Sequence, residues 1–154
     1  MMNKTENKSI PNWLLAGLLI ALLLLLSSCG VKSDLRDISA DISTHNILFK
    51  SERGFGNDRL DIYAFSLKKP GDISGFHKMS DESAQFFWDF LVMIDIEAIN
   101  DPSQASALMA LKADINRVRH QEDGQYLYIE LNNTSKLYVY SPALNTGYCL
   151  ILVI

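Results

Sequence analysis

Cysteine occurs only twice in the 154 residues, at Cys29 and Cys149, and histidine only three times, at His45, His77 and His120. These few residues form no Cys-x-x-Cys or His-Glu-x-x-His spacing, so a zinc site has no support in the sequence. The Gly-x-Ser-x-Gly elbow that exposes a nucleophilic serine is missing too. Basic excess is lacking: 14 Lys and Arg stand against 18 Asp and Glu. Nucleic-acid binding calls for a clustered basic face, and that balance supplies none. No metal, cofactor or catalytic residue is assigned on this basis, and binding is favoured over catalysis. Long apolar runs are absent with one exception, and everything else is conditioned by it.

The exception runs from Trp13 to Leu26, fourteen residues without a charge, with Lys4 and Lys8 upstream. A helix crossing a bilayer core of roughly 30 Å needs about 20 apolar residues, so this run is short for a span. It fits the roughly 7–15-residue apolar region of an export signal that follows a basic leader. Leucine faces every direction in it, which argues against a buried amphipathic helix. The nearest alternative is an uncleaved anchor over residues 11–28. The run closes on Leu26-Ser27-Ser28-Cys29. These four residues closely resemble the lipobox of bacterial lipoproteins.

That resemblance implies cleavage before Cys29 and lipidation of its thiol, the one side chain here nucleophilic enough to form a thioether with a diacylglyceryl group. Small residues at Ser27 and Ser28 let the backbone enter a peptidase site, and Leu26 fills an apolar subsite. Two or three acyl chains anchor firmly, whereas one alone is marginal. The implied partner is therefore a membrane, held through lipid on Cys29, in the cell envelope. In Gram-negative members of that family an aspartate after the cysteine favours inner-membrane retention. Gly30 stands there instead, which points to the outer membrane, facing the periplasm. The resemblance covers residues 1–29 and does not extend to the rest.

The expected organisation is a signal peptide over 1–28, a lipidated tether over 29–44 and a single domain over 45–154. Cleavage removes 28 of the 154 residues and leaves 126, enough for one domain with a core and too few for two. Lys4, Lys8 and Glu6 leave with the leader, so 12 of the 14 basic and 17 of the 18 acidic residues remain. A polybasic second attachment to anionic lipid is not on offer. With Cys29 alkylated, the chain holds no second thiol to form a disulfide with Cys149. Its neighbours Tyr148 and Leu150-Ile151-Leu152-Val153 suit a buried, inert thiol.

The tether is small, polar and charged, although Leu35, Ile38 and Ile42 recur at the spacing of a short amphipathic turn. Strands are expected at 46–50 and 60–67. The second alternates, with Leu60, Ile62 and Ala64 on one face and Asp61, Tyr63, Phe65 and Leu67 on the other. Between them, Gly54-Phe55-Gly56 with Arg53 and Arg59 reads as a hairpin turn. Its alternative is a small-ligand or hydrolytic site near Gly54–Arg59, although no helix follows to complete a phosphate-binding fingerprint.

After a breaker cluster at Lys68-Lys69-Pro70-Gly71-Asp72, Ser80, Asp81 and Glu82 start a helix. Its body, Phe86 to Ile94, is apolar on nearly all sides, so it is either covered all round or offers a spare face to a partner. A strand over 90–96 is the alternative. Asp101-Pro102-Ser103-Gln104 starts a second helix in capping-box spacing. This helix is expected to end near Ala113, burying Ala105, Leu108 and Met109, with 115–121 extended. Strands at 125–132, 136–141 and 147–153 then form a meander, the last apolar on both faces as befits a central or covered strand.

The fold class is thus α+β: an antiparallel sheet, made of an N-terminal hairpin and a C-terminal meander, with two central helices packed on it. Leu127, Ile129, Leu131, Leu137 and Val139 are expected to face the core. Tyr126, Tyr128, Tyr138 and Tyr140 are expected on the opposite face, joined by Tyr63 and Phe65. Tyrosines paired across strands stabilise a sheet, and exposed they would form a platform for an envelope protein. Such a domain reads as a protein-binding or structural module, with an immunity- or exclusion-type inhibitor of another envelope protein as the alternative.

Overall fold

The computed structural model describes residues 34–51 and 59–154. The leader, Cys29 and Gly30 lie outside the described residues, as do Gly54 and Gly56. The chain divides into two compact units, residues 1–40 and 41–154. The described part of the first, residues 34–40, holds a 3-10 turn, Arg36–Ile38, with Leu35 before it; Leu35 and Ile38 are buried.

The second unit builds strands β1 (Ile42–Lys50), β2 (Arg59–Leu67) and β3 (His77–Lys78), then helices α1 (Ala84–Asn100) and α2 (Ala105–Arg119). Strands β4 (Gln125–Leu131), β5 (Thr134–Ser141) and β6 (Thr146–Val153) follow. They form one antiparallel sheet in the order β1-β2-β6-β5-β4-β3, with both helices packed against it, an α+β fold as expected. β6 lies between β2 and β5, so its run Tyr148 to Leu152 is buried on both faces. The hairpin and the meander are therefore one sheet, joined along β2 and β6. β1 begins at Ile42, inside the stretch expected as tether, because Ile42 pairs with Leu67 and the hydroxyls of Thr44 and Ser66 meet at 2.6 Å.

Phe87, Phe90, Ile94 and Ala98 recur every three or four residues and are the buried stripe of α1, so 90–96 is helix and not strand. A 3-10 turn, Asp81–Ser83, leads into it, and the Ser83 hydroxyl donates to the Ser80 carbonyl at 2.6 Å. Asp101 accepts from the Ser103 amide at 3.0 Å and from Gln104 Nε2 at 2.6 Å. Those donors, the Ser103 hydroxyl and the Gln104 amide foremost, hold the Asp101 carboxyl below its ordinary 3.8. The helix itself begins at Ala105 with Gln104 at its N-cap, which corrects the expected start at Asp101; the contribution of Asp101 to the turn ahead of it is present above that ordinary value and lost as pH falls through the lower folded one.

Helix α2 runs on to Arg119, which corrects the expected end near Ala113 and the extended reading of 115–121. Leu108, Ile115 and Val118 keep helical spacing and are all buried, and that burial outweighs the β-preference of Ile and Val. Met109 points outward, 44% exposed, and is not part of the core. Lys112 Nζ lies 2.6 Å from both carboxylate oxygens of Asp95 and ties the two helices together.

The helix-side core contains Phe49, Leu60, Ile62, Leu137, Val139, Tyr148, Leu150 and Leu152. Leu127 pairs with Tyr138 and Ile129 with Lys136, whereas Tyr126 pairs with Val139 and Tyr128 with Leu137. Directly paired residues point to the same face. The expected core-facing set therefore mixes two faces: Leu137 and Val139 face the helices, while Leu127, Ile129 and Leu131 face away. Leu131 is 58% exposed.

Candidate functional site

The same register separates the four tyrosines expected to form a platform. Tyr126 and Tyr128 lie on the helix side, where the Phe86 ring stacks on both at 5.8 and 4.7 Å between centroids. Tyr138 and Tyr140 lie on the far side and are fully buried. No common surface of these four exists, which corrects the expectation of one tyrosine face. Alternation told that each strand has two faces, but the pairing of β4 with β5 decides which face of one strand meets which face of the other.

Tyr138 and Tyr140 belong instead to an aromatic layer with Tyr63 and Phe65. Phe65 meets Tyr138 edge-on at 6.2 Å and stacks on Tyr140 at 5.9 Å, lying over Gly147. A Cβ on Gly147 would run into the tip of the Phe65 ring, so any larger residue there must displace that ring. Phe76, from the loop after β2, touches Tyr138 at 6.0 Å. Tyr140 donates to Asn145 Oδ1 at 3.0 Å, and that oxygen also accepts the Leu67 amide at 3.0 Å. Burial raises the Tyr140 phenol above its usual value. At the other end of this face the fully buried Asp61 carboxylate lies 3.0 Å from Arg59 Nε and 3.8 Å from Lys50 Nζ. Alternation placed Asp61 on this face but gave no sign that it would be buried.

Arg59 is thus the one described member of the candidate ligand site near Gly54–Arg59, and it is engaged with Asp61. The histidines are dispersed. His45 is on edge strand β1, His77 is on β3 at the opposite edge, and His120 closes α2 with Nδ1 2.7 Å from the Asn116 carbonyl oxygen. Among the described residues no group of three His, Cys, Asp or Glu side chains could hold a metal ion.

Two grooves carry charged side chains. One, of about 560 Å³, lies between the start of α1 and the end of α2 and is lined by Ser80, Asp81, Arg119, His120 and Glu122 among others. Its groups serve the helix ends: Arg119 covers the Phe87 ring at 4.5 Å, and Gln121 Nε2 donates to the Arg117 carbonyl at 3.1 Å. The other, of about 520 Å³, is lined by Asp41, Lys68, Lys69, Asp72 and Ile73. There the buried Gln125 donates to Asp72 at 2.5 Å and accepts the Ile73 amide at 3.4 Å, holding the loop to β4. In the first groove the Ser83 hydroxyl donates to the Ser80 carbonyl and His120 Nδ1 meets the Asn116 carbonyl, and among the described residues no hydrogen bond joins a serine there to His120.

The surface that stands out is on α1. Trp88, Ile96 and Ile99 are 70%, 40% and 76% exposed, and with Val92 they follow one helical stripe opposite the buried one. Isolated apolar residues on a surface are ordinary, whereas contiguous exposed apolar patches are a feature of interaction surfaces in general. Among the described residues no helix is long and apolar enough to cross a membrane. Compared with protein-family models, with curated proteins and with solved structures, the chain matches none.

Proposed function

We propose that this is a lipid-anchored bacterial envelope protein whose folded part acts by binding another protein. The observation that carries the address is the run Trp13 to Leu26 closed by Leu26-Ser27-Ser28-Cys29. The domain supports the binding role, because three of its large exposed apolar side chains, Trp88, Ile96 and Ile99, share one stripe of α1. Blocking of another envelope protein, as an immunity or exclusion factor does, is one form of such binding. Gly30 favours attachment to the outer membrane, facing the periplasm, in a Gram-negative host.

Metabolic labelling with a fatty-acid probe tests the address. The unaltered chain takes up label and shifts to a smaller mass than its precursor. Cys29→Ser takes up none and stays at precursor size. Label retained by Cys29→Ser refutes lipidation at that residue.

A further inference from the structure

The outward stripe of α1 has a charge environment that selects its occupant. From Asp81 to Gln104 the sequence holds six acidic residues and no Lys, Arg or His. Asp81 and Glu82 stand at the start of the stripe, Asp89 lies along one margin and Asp95 along the other, and Glu97 and Asp101 follow toward its end. Lys112 neutralises Asp95, Arg119 and His120 line the same groove as Asp81, and Glu82, Asp89, Glu97 and Asp101 form no ion pair among the described residues.

The negative end of a helix dipole is usually matched by a cation, yet the last turn of α1 has no basic residue and carries Glu97. Partial burial raises the Glu97 carboxyl above its ordinary value. Acid at this end works against the isolated helix and in favour of a cationic neighbour.

From these observations we infer that the Trp88–Val92–Ile96–Ile99 face docks a basic amphipathic helix, its apolar side on the stripe and its Lys or Arg rim on the surrounding carboxylates. The inference rests on the binding role proposed above and names the partner's chemistry. An anionic membrane surface is disfavoured as occupant because it would meet a margin of its own sign. A second copy is disfavoured because two acidic margins would face each other. An apolar stripe on one helix received by another helix of complementary rim is an established mode of recognition.

Two synthetic helical peptides of about 18 residues, five turns, provide the probe. Both carry leucine at three- and four-residue spacing; one is otherwise lysine-rich, the other glutamate-rich. The full chain bearing Trp13→Phe, which leaves Trp88 as the single tryptophan, is held in phosphatidylcholine nanodiscs and titrated with each. The lysine peptide is expected to shift Trp88 emission to the blue and to bind at least about tenfold more tightly than the glutamate peptide, with the preference shrinking as salt rises. Ile99→Ser is expected to weaken it about tenfold without changing the circular dichroism. Glu82→Lys with Asp89→Lys is expected to abolish the preference.

Equal affinity for the two peptides, absence of any emission shift, or indifference to Ile99→Ser overturns the inference. So does a Trp88 shift produced by phosphatidylglycerol nanodiscs alone, which makes the bilayer the occupant. A dimer in sedimentation that Ile99→Ser dissolves also overturns it, in favour of a second copy. Failure here leaves lipid labelling at Cys29 untouched, and failure of labelling leaves this titration untouched.

Discussion

On its helix side the sheet presents Leu60, Ile62, Leu137, Leu150 and Leu152; on its far side it presents Asp61, Tyr63, Phe65, Tyr138, Tyr140 and Cys149. Both sets are buried, but they are held in different ways. The first is aliphatic packing, non-directional and proportional to area. The second depends on named partners: a guanidinium on a carboxylate, a ring over a glycine, a phenol on an amide oxygen. A face of the first kind tolerates exchange among residues of similar volume, whereas one of the second kind fails at particular atoms.

The largest expected effect tests the aliphatic side. Leu150→Ala removes a fully buried side chain facing Leu137 and Ile62, and should cost about 2–5 kcal/mol in urea unfolding. Leu150→Met should cost less than about 1.5 kcal/mol, as a volume-conserving exchange does. On the polar side Arg59→Met withdraws the guanidinium 3.0 Å from buried Asp61. A loss of about 3 kcal/mol is expected by the same assay, with partial recovery in Arg59→Met/Asp61→Leu. If the double variant is no better than the single, the pair is not what holds that end of the face.

Gly147→Ala drives a methyl into the Phe65 ring and should cost about 1–3 kcal/mol, as overpacking does. Phe65→Leu in the same chain should recover part of that loss. The smallest effect is Tyr140→Phe, which deletes the donor to Asn145 and should cost about 1 kcal/mol. An equal loss from Tyr126→Phe, whose ring packs under Phe86 on the other side, would erase the distinction drawn between the faces.

Local patterns in the sequence were enough for the fold class and for most of the elements, though not for the short edge strand β3, the start of β1 or the end of α2. β2 was legible because its apolar and polar residues alternate, α1 because its apolar run follows an acidic start, and β6 because it is apolar on both faces. The spare apolar face of α1 was legible as an alternative, since a helix apolar all round needs covering all round. Three features were not legible. The division of Tyr126 and Tyr128 from Tyr138 and Tyr140 depends on the β4–β5 register, a relation between strands that alternation within either does not contain. The length of α2 was hidden because Ile115 to His120 suits a strand by residue type, and only burial of Ile115 and Val118 decides for helix. Burial of Asp61 could not be read because a carboxylate in an alternating strand is ordinarily the solvent-facing member.

The place of β6 also governs when the fold can form. It is the strand that bonds the N-terminal hairpin to the meander, and Asn145 just before it bonds the Leu67 amide and carbonyl 78 residues upstream. A nascent chain that has not yet passed Thr146 has β1 and β2 on one side of a gap and β4 and β5 on the other. β1 and β2 alone are a two-stranded hairpin, marginal in water, and β3, β4 and β5 lack the β6 side chains that complete their core. Folding is therefore deferred until β6 has been made, and loop closure over that distance makes it slow compared with helix formation. A chain arrested before β6 should remain sensitive to protease throughout, while one extended past Val153 becomes resistant in a single step.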